Sequence, residues 1–139
     1  MNFLGILQKG LKIAPPEAPT TGHMFGKGIY FSDSFQKSFN YTTGTTRILL
    51  LCEVALGKIA ELYQATELLK ATQGFDSVHG VGLNFPDPNK DVVISNGMIL
   101  PLGNIIKRTD LTNQIVLNQN EYIVYEEDRV KIRYMVCIN

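Results

Sequence analysis

Nine consecutive residues, Ile48–Leu56 (ILLLCEVAL), constrain the fold of this chain more than any other stretch. Extended to Arg47–Leu56, the run reads as a strand buried on both faces or nearly so, because an apolar run of this length fits the interior of a sheet. Its longest wholly apolar part, Ile48–Cys52, is far too short to cross a bilayer. A partner for it lies at the other end of the chain. There Val130, Ile132, Tyr134, Val136 and Ile138 alternate with Lys131, Arg133, Met135 and Cys137. That period of two predicts a strand with one well-buried face. Glu121–Tyr125 is a further strand, divided from it by the acidic turn Glu126-Glu127-Asp128. Val92–Ile94 and Met98–Leu100 flank Asn96-Gly97, the pattern of a hairpin with the favoured Asn-Gly turn.

The remaining segments are shorter. Lys58–Leu62 extends the sheet, Ile29–Phe31 is a short strand, and Phe75–Leu83 is a strand followed by a glycine turn. Pro86–Asn89 is a turn and Ile105–Gln119 is polar and irregular. Helix is confined to Asn2–Lys9, ended by Gly10, to a segment capped by Ser32 or Asp33 that runs to Tyr41, and to Thr66–Lys70. No internal repeat or low-complexity stretch is present. The expected fold is α+β: a mostly antiparallel, twisted, split β-sheet core with few short helices, in one domain of 139 residues.

Composition narrows the function. With 13 basic and 13 acidic residues the formal charge is zero, and no basic run exceeds Lys107-Arg108. This argues against direct nucleic-acid binding by the chain itself. The two cysteines, Cys52 and Cys137, sit in apolar strand-like runs and read as buried free thiols. Neither His23 nor His79 shares metal-ligand spacing with them, so no metal site is expected. Met1 is not followed by a basic segment and an apolar core, so no signal peptide is visible. The chain reads as intracellular, soluble and free of membrane contact.

Chemistry concentrates in Ala14–Tyr41 (APPEAPTTGHMFGKGIYFSDSFQKSFNY). Three prolines in five residues make its first part a semi-rigid loop, and Gly26-Lys27-Gly28 allows a tight backbone before Ile29–Phe31. In a helix starting near Ser34, Ser38 and Tyr41 share a face. Tyr30 ends the strand that feeds it. Two aromatic rings and a hydroxyl suit a flat aromatic amide. On spacing alone, polar-tipped tyrosines packed on a sheet are the plainer alternative. Gly26-x-Gly28 and Gly80-x-Gly82 resemble the opening of a dinucleotide fingerprint, but Phe31 and Phe85 replace its third glycine, and a Rossmann or P-loop reading falls away. Glu121, at the mouth of an apolar strand, could bond a sugar hydroxyl and stabilise positive charge on the adjacent carbon. A solvated strand-end glutamate is the plainer alternative.

Taken together, these segments resemble the catalytic domain of the poly(ADP-ribose) polymerases, the diphtheria-toxin-like ADP-ribosyltransferases, nearest their DNA-damage-responsive branch. The resembling residues are Gly5–Tyr41, Leu49–Lys58, Ser77–Gly82 with Pro86–Pro88, Pro101–Gly103 and Asn120–Val136. The resemblance implies an NAD+-dependent transferase that passes ADP-ribose to a protein or to ADP-ribose itself and releases nicotinamide. It implies catalytic roles for Glu121 and Tyr30, and a carboxamide contact at Ser38. Tyr41 would stack on nicotinamide, and Lys27 would lie near the acceptor. Asn2, Lys12 and His23 fall at positions on the donor's adenosine side and donor loop. The branch usually carries Arg where Lys12 stands and Tyr where His23 stands. Protein acceptors, upstream regulatory and DNA-binding domains, nuclear placement and a part in DNA repair follow as expectations of the same kind.

The family places a His-Gly-Ser/Thr-Arg strand just upstream of the position matched by Asn2. Residues 1–139 are therefore expected to be a partial catalytic domain that lacks the first strands and the helical regulatory domain, and that alone binds NAD+ weakly and aggregates. A catalytically impaired NAD- or ADP-ribose-binding or interaction module is the alternative. A sugar-binding β-sandwich accounts for the strands but not for Tyr30, Ser38, Tyr41 and Glu121 together.

Overall fold

The computed structural model describes residues 3–15, 17–18, 23–68, 70–110 and 113–139. It is α+β, mostly strand with two short helices. Helix α1 spans Phe3–Lys9 and closes at Gly10, whose φ of 76° and bond to the Ile6 carbonyl (2.8 Å) finish the last turn. Strand β1 (Ile29–Phe31) leads into helix α2 (Phe35–Asn40). The N-cap of α2 is Ser34, one or two residues later than expected, with its hydroxyl accepting from the Lys37 N–H at 3.5 Å.

Strands β2 (Arg47–Val54), β3 (Ile59–Leu62), β4 (Ser77–Gly80) and β5 (Gly82–Pro86) follow. Then come β6 (Val92–Val93), β7 (Ile99–Leu100), β8 (Ile105–Lys107), β9 (Leu117–Gln119), β10 (Glu121–Val124) and β11 (Val130–Ile138). One sheet has the order β1-β10-β4-β3 and a second the order β8-β5-β9; β11-β2 and β6-β7 are two-stranded. Most pairings are antiparallel, but β3 runs parallel to β4 and β5 parallel to β9. The core lies on one face of the four-stranded sheet. There Phe25, Val78 and Ile123 are fully enclosed and join Ala60 and Leu117. Burying such side chains contributes about 1.5–3 kcal/mol each.

The loop before β1 is tied down over this core. Tyr125 donates to the Phe25 carbonyl at 2.7 Å, and the Tyr30 hydroxyl accepts from the Phe25 N–H at 2.9 Å and donates to the Gly26 carbonyl at 2.8 Å. Gly26 has φ 78°, and a Cβ there would overlap the Leu68 backbone. That close approach explains one departure from the sequence reading. Residues 66–68 and 70 are not helical, because the Thr66 N–H bonds the Met24 carbonyl (3.0 Å) and the segment lies against the loop. Leu69, inside the same expected helix, lies outside the described residues.

Other departures have local causes. The β2–β11 ribbon is far less buried than its sequence suggests: Leu51 is 52% and Tyr134 67% exposed. A bulge between Ile132 and Tyr134 sends the alternation of β11 to the opposite face halfway along, so Val130 and Ile132 do not share a face with Tyr134 and Val136. Cys137, at the far end of β11, is exposed and Cys52 half-buried; both are free thiols, but neither is fully enclosed. The β6–β7 hairpin forms, yet Asn96-Gly97 is not its central pair. The Ile94 carbonyl accepts from the Gly97 N–H at 2.8 Å and the Ile94 N–H bonds the Met98 carbonyl at 3.0 Å. Ser95-Asn96 therefore forms the turn, and Gly97 (φ 80°) is the bulge residue of a three-residue loop. Gly82 does not turn the chain but opens β5, and the segment expected to be irregular holds β8 and β9.

Candidate active site

The antiparallel β1–β10 pairing matches Tyr30 with Ile123 and Phe31 with Tyr122. Directly opposed residues share a face, and so do alternate residues along a strand. Glu121 and Tyr30, ninety-one positions apart in sequence, thus stand on the same side of the sheet. The residue opposite Glu121 on β4 is Gly80, where a Cβ would strike the Phe25 ring and Leu117. Small size at this position lets the core pack beneath the glutamate. Burial pushes the Tyr30 phenol up to about 12, with the nearby Glu121 charge adding to the shift. The phenol therefore remains neutral at physiological pH and keeps both of its backbone bonds.

Helix α2 meets Glu121 through a residue the sequence reading passed over. Lys37 Nζ lies 2.8 Å from Glu121 Oε1 and donates to the Gln119 carbonyl at 2.9 Å. The two side chains are only 13% and 12% exposed. A buried carboxylate needs such a partner, because desolvation of a lone charge costs several kcal/mol. Lys37 follows the Ser34 cap by three residues and immediately precedes Ser38. A lysine there also fits a solvated helix face, so only the cross-chain contact with Glu121 marks it out.

The other expected site residues are placed as follows. Ser38 is half-buried on α2, and Tyr41 is its C-cap, 77% exposed. His23 stacks on Tyr30 with ring centroids 5.7 Å apart, and its Nδ1 is buried with no partner among the described residues. Lys27 Nζ donates to the Pro15 and Ala18 carbonyls, each at 2.9 Å, and so holds the proline loop. Lys12 pairs with Glu127 at 2.6 Å, and Glu127 also accepts from the Ile13 N–H at 3.0 Å. The Lys12 ammonium and that N–H hold the Glu127 carboxyl below the usual range. Asn2 lies outside the described residues.

Behind Glu121 is a second group that the sequence did not reveal. The Asn120 amide donates to Asp33 Oδ2 at 2.8 Å, and its oxygen accepts from the Gly82 N–H at 2.8 Å. Tyr122 donates to the same Asp33 oxygen at 3.3 Å. Among the described residues no group of three or more His, Cys, Asp or Glu side chains could hold a metal ion, and no helix is long and apolar enough to cross a membrane.

The family described as the poly(ADP-ribose) polymerase catalytic domain matches residues 1–139. Poly [ADP-ribose] polymerase 2 of Arabidopsis thaliana is 46% identical over 145 residues, covering 99% of this chain and 22% of that protein. Poly [ADP-ribose] polymerase 1 of Gallus gallus is 46% identical over 139 residues, covering 97% of the chain and 14% of that protein. Poly [ADP-ribose] polymerase of Drosophila melanogaster is 45% identical over 138 residues, covering 96% and 14%. The chain thus spans between a seventh and a quarter of the length of these relatives. With a family match along its whole length and these identities, the chain belongs to the poly(ADP-ribose) polymerase catalytic-domain family.

Proposed function

We propose that this chain carries the catalytic centre of an NAD+-dependent ADP-ribosyltransferase, which passes ADP-ribose to a protein side chain or to a growing ADP-ribose chain. The observation that carries the reading is the buried Lys37–Glu121 pair, on the sheet face that also bears Tyr30. NAD+ is the donor substrate, and breaking its bond to nicotinamide leaves positive charge on the ribose carbon.

Glu121 supplies a fixed negative charge for that carbon, and fixed charges at developing charge are the strongest single contribution in many enzymes. Lys37 engages one carboxylate oxygen; we assign the other to the ribose 2′-hydroxyl and to orienting the acceptor. Tyr30, bonded at its hydroxyl to two backbone groups, gives a ring that cannot swing, suited to one wall of a nicotinamide pocket. Tyr41 presents an exposed ring for stacking, and the Ser38 hydroxyl lies three residues before it as a partner for the carboxamide. The unpartnered His23 Nδ1 fits a polar donor group beside Tyr30. Lys27 shapes the donor loop toward the acceptor side, and Lys12 reaches the adenosine half only by leaving Glu127. Asn2 is assigned to that half by family position alone.

Protein acceptors, regulatory and DNA-binding regions of the native gene product, nuclear placement and a part in DNA repair belong to the same reading. The family match supports an enzyme over a non-catalytic binding module. The test is automodification with labelled NAD+ in the native gene product, comparing the parent with Glu121→Gln. Label in the parent and its loss in the variant are expected. Equal labelling would remove Glu121 from this role.

A further inference from the structure

Asp33 has no part in the reaction described so far. It does not cap α2, since Ser34 does. Its Oδ2 instead accepts from Asn120 and Tyr122, the residues immediately before and after Glu121. Tyr122, next to Glu121 within β10, projects from the opposite face of the strand, and Asn120 immediately precedes the strand. Asp33 therefore grips the strand from behind at the point where Glu121 projects forward.

Both gripped residues are themselves held. The Asn120 oxygen accepts from Gly82, and the Tyr122 ring stacks on His79 with centroids 4.6 Å apart and planes 7° from parallel. Three further bonds lace the same turn to the same strand region. Gln119 Nε2 donates to Ser34 Oγ at 2.9 Å, Ser32 Oγ donates to the Asn120 carbonyl at 3.3 Å, and Lys37 donates to the Gln119 carbonyl. Asp33 Oδ1 is buried and has no partner among the described residues. A half-satisfied buried carboxylate costs stability. That cost is accounted for by what its two bonds hold in place.

We propose that Asp33 is a positioning residue: by joining Asn120 and Tyr122 to the turn that starts α2, it fixes the direction of Glu121 relative to Lys37 and Ser38. This rests on the transferase reading. Burial, with the Asp33 charge as the next contribution, pushes the Tyr122 phenol well above its ordinary range, so it stays a donor at any physiological pH. Because the role is geometric, an oxygen acceptor in the same place should serve. Asparagine provides one and alanine does not.

The test is steady-state NAD+ consumption and automodification by the native gene product, with amide hydrogen exchange measured in parallel without NAD+. Since misplacement by an ångström can cost about 100-fold, Asp33→Ala should lower kcat by about 10- to 100-fold with KM for NAD+ nearly unchanged. Asp33→Asn should recover most of the parent kcat. Exchange in α2 and residues 119–122 should accelerate in the alanine variant and not in the asparagine variant. An unchanged kcat in Asp33→Ala, equal losses in the two variants, or a loss confined to KM would overturn the proposal. Should Asp33→Ala not fold, Tyr122→Phe removes one bond and keeps the ring on His79. It should lower kcat several-fold, and no loss would overturn the proposal. If the parent consumes no NAD+, the transferase reading fails separately. Hydrogen exchange then decides the clamp, and unchanged protection in Asp33→Ala refutes it.

Discussion

Replacing Asn120 by alanine should be among the most damaging single changes in the molecule, although the residue touches no substrate. Asn120 is 3% exposed and joins the buried Gly82 N–H to the half-buried Asp33 carboxylate. Leaving the Gly82 N–H unpaired costs about 1–3 kcal/mol, and losing a hydrogen bond to a charged group costs about 1.5–3 kcal/mol. The expected loss is about 3–5 kcal/mol, read as a lower urea midpoint at constant slope.

Asn120→Asp separates this mechanism from simple loss of packing. The aspartate keeps an acceptor for Gly82 but places a second carboxylate against Asp33. One of the pair then takes up a proton at a pH above the ordinary aspartate value of about 4. Because the folded-state value is raised, that variant holds its stability below about pH 4 and loses it as the pH climbs through the raised value. Asn120→Ala should show no such dependence. A loss below about 1 kcal/mol in the alanine variant, or the same pH profile for both, would refute the reasoning.

Two further outcomes follow from other charged contacts. Lys37→Met, which strands Glu121 in a nearly buried site, should cost about 3–5 kcal/mol of stability. Adding Glu121→Gln should restore much of that stability in urea unfolding but none of the activity; a double variant no more stable than Lys37→Met would contradict the ion-pair account. Asp76 accepts from the Lys58 N–H at 2.7 Å and from Arg129 at 2.8 Å, and these hold its carboxyl below the usual range. Its contribution is present above the ordinary aspartate value and lost as the pH falls through the depressed one. Asp76→Asn should therefore flatten the acid limb of the stability curve below about pH 4, and an unchanged limb would count against it.

Much of this was legible in the chain, and the reasons for the rest are physical. The strands Ile29–Phe31, Glu121–Val124 and Arg47–Val54 follow from period and apolar content, and the Gly26-Lys27-Gly28 pinch from the need for a tight backbone. Pattern could not show that Thr66–Leu68 would give up helix to pack on Gly26, since the competing bond comes from Met24, far away in sequence. Nor could it show the bulge after Ile132, which changes the buried side of β11 without altering its alternation. At the site, residue type and place alone left plainer alternatives for Glu121 and Tyr30, and only the family resemblance singled them out. Lys37, Asp33 and Asn120 were not singled out, because a helix lysine, a turn aspartate and a loop asparagine are each ordinary on their own. Only the β1–β10 register and the start of α2 bring them to the glutamate.

The most direct test of the account is the transfer of label from NAD+ in the native gene product carrying Glu121→Gln. The glutamine keeps the shape and one acceptor oxygen but removes the charge that faces the reacting carbon. On this account, incorporation at least about 100-fold below the parent is expected, with folding retained, as for the loss of a fixed group at a developing charge. Labelling equal to the parent would contradict it.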